Sequence, residues 1–314
     1  MGVYQHLTEF AGLPVAEFDF ETEEDAELPP AAGHAWAVRT SFDEESFEQV
    51  WSRFRAAVDT TAVTALVIGY WGASYDEHDA DPVALLTEAA ADFPALRALF
   101  LGDITGEESE ISWIEHSDIT PLFTAFPELE RFEIRGADGN EGEIRLEPIK
   151  SAALKRLRFE SGGLPARIVR AIAASDLPNL EHLDLWLGTD TYGGDATMAD
   201  LEPILTGERL PSLRHLGLED SETQDRVAEA VAGAPVVARL ESLSLAMGIL
   251  TDAGAEALLS GQPLTHLRRL DLHHHYLSDT MMDRLRAALP GVEVNLDDRQ
   301  ETHSDGWRFI AVSE

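Results

Sequence analysis

The chain has 314 residues and no cysteine. A disulfide framework and a thiolate zinc site are therefore excluded, and a reducing compartment is the expected setting. Lysine is almost missing: only Lys150 and Lys155 occur among 23 basic residues. That bias fits a genome rich in G and C and carries no functional information. Positive charge is scarce as a whole, with 23 Lys+Arg against 58 Asp+Glu and a net charge of -35. Such a surface repels nucleic-acid phosphates and anionic lipid at long range, so neither nucleic acid nor membrane is expected as a partner. The plain reading of so much negative charge is solubility. No apolar run in the sequence is long enough to span a bilayer. The stretch that precedes Pro30 carries Glu17, Asp19, Glu21, Glu23, Glu24, Asp25 and Glu27 without a lysine or arginine. This is the opposite of a secretory n-region or a transit peptide, and the expected location is the cytoplasm.

Catalytic signatures are missing too. There is no G-x-x-x-x-G-K-[ST], G-x-S-x-G, H-E-x-x-H or dinucleotide fingerprint. No enzymatic activity and no cofactor are expected.

What the chain does contain is a sentence written many times. Leu177-Pro-Asn-Leu-Glu-His-Leu-Asp-Leu185 has close copies beginning at Phe93, Phe126, Leu210 and Leu264. Looser copies begin at Val63, Leu154 and Leu240, and a degenerate one at Val292. The first Leu-like positions of the copies are 63, 96, 129, 154, 180, 213, 240, 267 and 292. Recurrence at this spacing, within the roughly 20–50-residue range of repeat architectures, signals a solenoid. The strict alternation that ends each L-x-x-L-x-L copy predicts a short strand with one face buried. The intervening residues have room for a helix that returns the chain to a parallel strand. One repeat buries too few leucines to offset its own ordering entropy, so the copies must stack and share a core.

Helix starts recur between copies. Asp81-Pro82 offers an N-cap and a first-turn proline, and related starts stand at Asp118, Asp200 and, shortened, Leu146. Leu250-Thr-Asp and Leu277-Ser-Asp serve the later repeats, and the last helix is expected to bury Met282, Leu285 and Leu289. Before the repeats, residues 1–33 read as an extended segment. A capping helix is expected over 41–58, from a Ser41/Glu44 capping box and a stripe of Phe47, Val50, Trp51, Phe54 and Val58. After them, Gly306 to Val312 alternates like a closing strand, with Trp307 and Phe309 as cap residues.

The pattern resembles leucine-rich repeats, nearer the ribonuclease-inhibitor-like type, over roughly residues 60 to 296. The resemblance implies an α/β leucine-rich-repeat solenoid, a horseshoe with parallel strands on the concave face and helices on the convex face. Its parts would be an N-terminal segment with capping helix (1–60), eight to nine repeats (61–296) and a C-terminal cap (297–314). The absence of cysteine departs from the ribonuclease inhibitor, so ribonuclease inhibition does not carry over. It also excludes the thiol-dependent ubiquitin ligases that bacteria append to such repeats. His6-Leu-Thr-Glu-Phe-Ala-Gly-Leu-Pro14 and Gly306-Trp-Arg-Phe-Ile-Ala-Val-Ser-Glu314 are similar to a family of bacterial cytoplasmic leucine-rich-repeat proteins of unassigned function. That similarity implies an accessory role beside modifying enzymes and identifies no catalytic residue.

If the leucines face the core, positions three, five and seven of each copy line the concave sheet. They supply the candidate binding residues Arg131, Glu133, Arg156, Arg158, His182, Asp184, Trp186, His215, Arg269, Asp271 and His273. The Arg and His row either attracts an acidic partner or pairs across strands with Glu133, Asp184 and Asp271. Trp186 is the expected main contact anchor. His273-His-His275 invites a metal reading, but alternation on a strand turns His275 inward, and no metal is expected. Glu107-Glu-Ser-Glu110 lacks the EF-hand pattern and reads as a solvated loop. The expected function is a non-catalytic, monomeric scaffold for a protein or peptide. The alternatives are a regulator of a nucleotide-dependent or modifying enzyme, or a metal-dependent hydrolase built on His273.

Overall fold

A computed structural model describes residues 3–23, 25–72, 80–136 and 144–313. The chain divides into two compact units: Gly2–Glu147 with Ala153–Arg156, and Pro148–Ala152 with Leu157–Ser313. Both are α/β, and their strands pair mostly in parallel.

In the first unit the strands are β1 (Glu9–Phe10), β2 (Leu13–Phe18), β3 (Ala35–Val38), β4 (Ala65–Ile68), β5 (Ala98–Leu101) and β6 (Arg131–Arg135). They neighbour one another in chain order. The helices are α1 (Phe47–Ala57), α2 (Pro82–Glu88) and α3 (Thr120–Ala125). Strands β4, β5 and β6 begin on the third position of their copies, with Ala65 opposite Ala98 and Ala98 opposite Arg131. The ladder starts earlier than its sequence pattern, because β2, within the segment expected to be extended, and β3 just after it pair in parallel ahead of β4.

Local chemistry explains the helices and two departures from expectation. Asp81 Oδ1 accepts from the amides of Val83 and Ala84 at 3.0 and 3.1 Å and starts α2 as expected. The capping box of α1 is Ser46 with Gln49, not Ser41 with Glu44. Asp43 turns the preceding chain with φ 61°, so the helix begins later. Its buried stripe is as expected, and Trp51 stacks on Phe93 with ring centroids 5.4 Å apart.

In the second unit the strands are β7 (Arg156–Glu160, all but its first residue), β8 (His182–Gly188), β9 (His215–Ser221), β10 (Ser242–Ser244), β11 (Arg269–Asp271) and β12 (Glu293–Asn295). The helices are α4 (Ala166–Ala174), α5 (Met198–Thr206), α6 (Gln224–Ala232), α7 (Asp252–Ser260) and α8 (Asp279–Ala288). An acid at the start of one helix holds the start of the next. Asp225 accepts from Thr251 N and Oγ1, and Asp252 accepts from Ser278 N and Oγ, all between 2.6 and 2.8 Å. Helix α5 starts before Asp200, which is the N3 partner in a capping box closed by Thr197. Residues 146–149, expected as a shortened helix start, carry no helix. In α8 the buried methionine is Met281, not Met282.

The tail also departs from expectation. Residues 306–312 form no strand, and Trp307 and Phe309 are 64% and 54% exposed. Ile310 and Val312 are buried in their place. The Ala311 amide donates to Met247 O at 2.8 Å and the Val312 amide to Asp220 Oδ1 at 3.0 Å. Asp220 and Met247 both have left-handed backbones, and Tyr276 adds a third anchor, its hydroxyl accepting from the Phe309 amide at 2.8 Å and donating to the Phe309 carbonyl at 2.9 Å. No helix among the described residues is long and apolar enough to cross a membrane.

Candidate functional site

In the first unit the face carrying positions three and five is covered. Phe10 packs on Ala35, Ala37, Ala65, Val67, Ala98 and Phe100, flanked by Leu7, Leu13 and Val15. The antiparallel β1–β2 hairpin thus converts an apolar strip of sheet into core, and Arg131 lies over Phe10 with its guanidinium carbon 4.5 Å from the ring centre. Beside it, Glu133 is only 3% exposed and its Oε1 accepts from Arg131 Nε at 2.8 Å and Arg156 Nε at 2.6 Å. Around these groups is a cavity of about 350 Å³. Ala11, Leu13, Ala65 and Ala98 supply its apolar lining, and Arg97, Arg131, Lys155, Arg156 and Glu130 its charges. Lys155 Nζ pairs with Glu130 Oε2 at 2.7 Å.

Asp103, fully buried in the same unit, ties down the N-terminal strands. It accepts from Arg39 Nη2 at 3.2 Å and from the Leu7 amide at 3.2 and 3.3 Å, with Arg135 Nη1 at 3.7 Å. His6 Nδ1 lies 3.4 Å from the same carboxylate and Nε2 3.5 Å from Glu108. The hydrogen bond with Asp103, then that with Glu108, raises the His6 pKa to about 9 against the opposing effect of burial. Glu108, from the loop expected to be solvated, is drawn inward by the Thr105 amide at 2.7 Å.

In the second unit the register aligns His182, His215, Ser242 and Arg269 on successive strands. Asp184, Gly217, Ser244, Asp271 and Asn295 form the parallel row two residues on. Asp184 sits between two imidazoles: His182 Nε2 is 2.5 Å from Oδ2 and His215 Nε2 is 2.7 Å from Oδ1. The rings stack at 3.9 Å and 10°. Burial raises the Asp184 pKa, but the hydrogen bonds from His182 and His215 outweigh it and hold the carboxyl below its ordinary range. His215 Nδ1 meets Ser242 Oγ at 2.6 Å. Next along the face, Asp271 pairs with Arg269 Nη2 at 2.6 Å, His273 Nδ1 at 2.8 Å and Asn295 Nδ2 at 3.0 Å. The hydrogen bond to Asp271 raises the His273 pKa.

Several candidates lie deeper than expected. Trp186, expected as the main contact anchor, is 5% exposed; its Nε1 donates to Glu219 Oε2 at 2.9 Å, and Arg158 covers its ring at 5.3 Å. Glu133 and Asp184 are buried as well. Parallel strands stand only about 4.8 Å apart, so the long side chains of one row fold over the shorter ones beside them. Arg131, Arg156, His182 and His215 stay half-buried, Arg269 is exposed, and Asp271 and His273 are intermediate. Arg158 pairs with Glu160 at 2.9 Å. At 273–275 the ring of His275 turns inward, as expected. His275 is fully buried, with Nε2 3.1 Å from Leu296 O and Nδ1 accepting from the Leu277 amide.

Sequence reasoning missed Arg97 and Lys155, because it followed positions three, five and seven. The signal lay at position two, where Arg97, Glu130 and Lys155 alternate in sign, as do Glu181, Arg214, Glu241 and Arg268. Glu219 stands at the seventh position of its copy; burial, then the nearby charge of Asp184, raises its pKa.

No protein-family model matches the chain, and no curated protein does. Among solved structures, a Bacteroides fragilis protein determined as a structural-genomics target is 34% identical, with a TM-score of 0.73. The match covers 81% of this chain and 69% of that one. The chain belongs to that protein's family. This kinship accords with the α/β architecture and leaves function to be argued from the surface.

Proposed function

We propose that this protein is a non-catalytic cytoplasmic scaffold of the leucine-rich-repeat, ribonuclease-inhibitor-like type that holds an acidic segment of a protein or peptide. The observation that carries this reading is the basic cluster of the first unit. In a chain of net charge -35, Arg97, Arg131, Lys155 and Arg156 surround one cavity with an apolar lining. Guanidinium groups bind carboxylates through paired, charge-assisted hydrogen bonds. Glu133, shared by Arg131 and Arg156, holds both in place before a partner arrives, which lowers the ordering cost of binding. Against an otherwise acidic surface, the cluster steers an acidic segment toward the cavity and disfavours other orientations.

Affinity capture from a lysate of the source organism, followed by cross-linking to map the contact, tests this reading. A stoichiometric partner cross-linked through an acidic segment to the cavity rim is expected. Its recovery should fall as salt rises and disappear in Arg97→Glu/Lys155→Glu, with the fold checked by circular dichroism. A partner retained undiminished by the folded double variant, or contacts mapped elsewhere, would overturn the assignment.

A further inference from the structure

We propose that His182, Asp184 and His215 form a binding site for a divalent transition-metal ion, with two imidazole nitrogens and one carboxylate as its protein ligands. Ligand atoms of these three side chains all lie within 4.8 Å of one another, the one such grouping of three or more His, Cys, Asp or Glu residues among the described residues. The donors come from neighbouring parallel strands, with His182 beside His215 in register. Imidazole with one carboxylate suits zinc, cobalt, nickel or copper better than calcium or magnesium, which prefer all-oxygen shells.

The surroundings are shaped to hold the donors. Gly217 stands beside Asp184, and a Cβ there would lie 2.2 Å from Asp184 Oδ1. Glycine at this point of β9 therefore makes the space in which one carboxylate reaches both imidazoles. Ser242 Oγ engages His215 Nδ1 and fixes that ring with Nε2 toward Asp184, the outer-shell support that metal-bound histidines require. Asp184 is buried at the foot of the cluster, whereas the His182 and His215 side chains are 22% and 19% exposed. An ion on the outer side would keep coordination positions open to water or a partner's side chain.

In this structure each Nε2 faces a carboxylate oxygen at a distance set by a hydrogen bond. A metal ion would take the place of those protons. With metal–ligand bonds of about 2.0–2.2 Å, the donors spread to roughly 3–3.5 Å apart, and the two stacked rings tilt so that their lone pairs converge. Imidazole and carboxylate bind a metal only in their unprotonated forms, so affinity should rise with pH.

The test uses the full chain without a histidine tag, stripped with chelator. Zn²⁺ is titrated by calorimetry in two buffers of different ionisation enthalpy, and Co²⁺ by visible absorption. One equivalent of each, proton release, and a cobalt spectrum of nitrogen–oxygen ligation are expected. Affinity should fall at least tenfold in Asp184→Asn and His215→Ala, and remain unchanged in Asp271→Asn on the same face. If Asp184→Asn does not fold, His182→Gln at its half-exposed position takes its place, with the same tenfold loss expected. Absence of stoichiometric binding to the wild-type chain would overturn the proposal, as would wild-type affinity in both His182→Gln and His215→Ala.

Discussion

Replacing Asp103 by alanine should cost the first unit several kcal/mol and loosen its N-terminal strands. The carboxylate is fully buried and answers Arg39, whose side chain is only 7% exposed, at 3.2 Å. Removing one member of a buried pair strands the other charge and typically costs about 3–5 kcal/mol. The Leu7 amide also loses its acceptor, worth about 1 kcal/mol. For a unit of this size each kcal/mol moves Tm by about 2–4 °C, so a drop on the order of 10 °C is expected by calorimetry. Limited proteolysis should cut earlier within residues 3–18, because the carboxylate holds the Leu7 amide and lies 3.4 Å from His6 Nδ1. A pH series supplies a second signature. His6 is raised from 6.5 to about 9 in the fold, so its stabilising contribution is complete below pH 6.5 and fades as pH rises through about 9. The wild-type chain should lose that increment between pH 7 and 10, and Asp103→Ala should show a flatter profile. A loss under about 1 kcal/mol with unaltered proteolysis would refute the view that Asp103 organises this unit.

Asp220 and Trp186 offer two further checks. Burial raises the Asp220 pKa well above its ordinary value, so folding favours its neutral form; the stability it contributes below the unfolded value is lost as pH rises through the folded one. Asp220→Asn retains the Oδ1 acceptor for the Val312 amide and tolerates the left-handed φ of 54°. It should raise Tm at pH 8 and bring no gain near pH 4, and a lower Tm at pH 8 contradicts the assignment. Trp186→Ala should cost about 3–5 kcal/mol in urea unfolding. Trp307→Ala, at a 64% exposed position, should stay within about 0.5 kcal/mol, and equal effects would show that Trp186 is not core.

Much of the fold was legible because strand alternation and leucine spacing are local signals. Third-position residues such as Ala98, His182 and Arg269 begin strands, as the repeat phase required. Asp81, Thr251 and Ser278 cap helices by short-range hydrogen bonds that a few neighbouring residues specify. Less legible were elements whose partners lie far along the chain. Nothing near Phe10 announces that it covers Phe100, 5.9 Å away across the first unit. The candidate surface shows the same division. Its charged rows were visible, but their depth was not, since burial of Asp184 and Trp186 depends on side chains from other strands.

The amino-acid order by itself determined the period, the strand phase and which residues share a row, because each follows from backbone alternation within a short stretch of chain. Tertiary structure alone decided which of those rows meet solvent. It also seated one carboxylate between histidines of two different repeats and gathered four scarce cations around a single cavity. Those arrangements rest on contacts between successive strands, whose distances and side-chain directions exist only once the repeats have stacked.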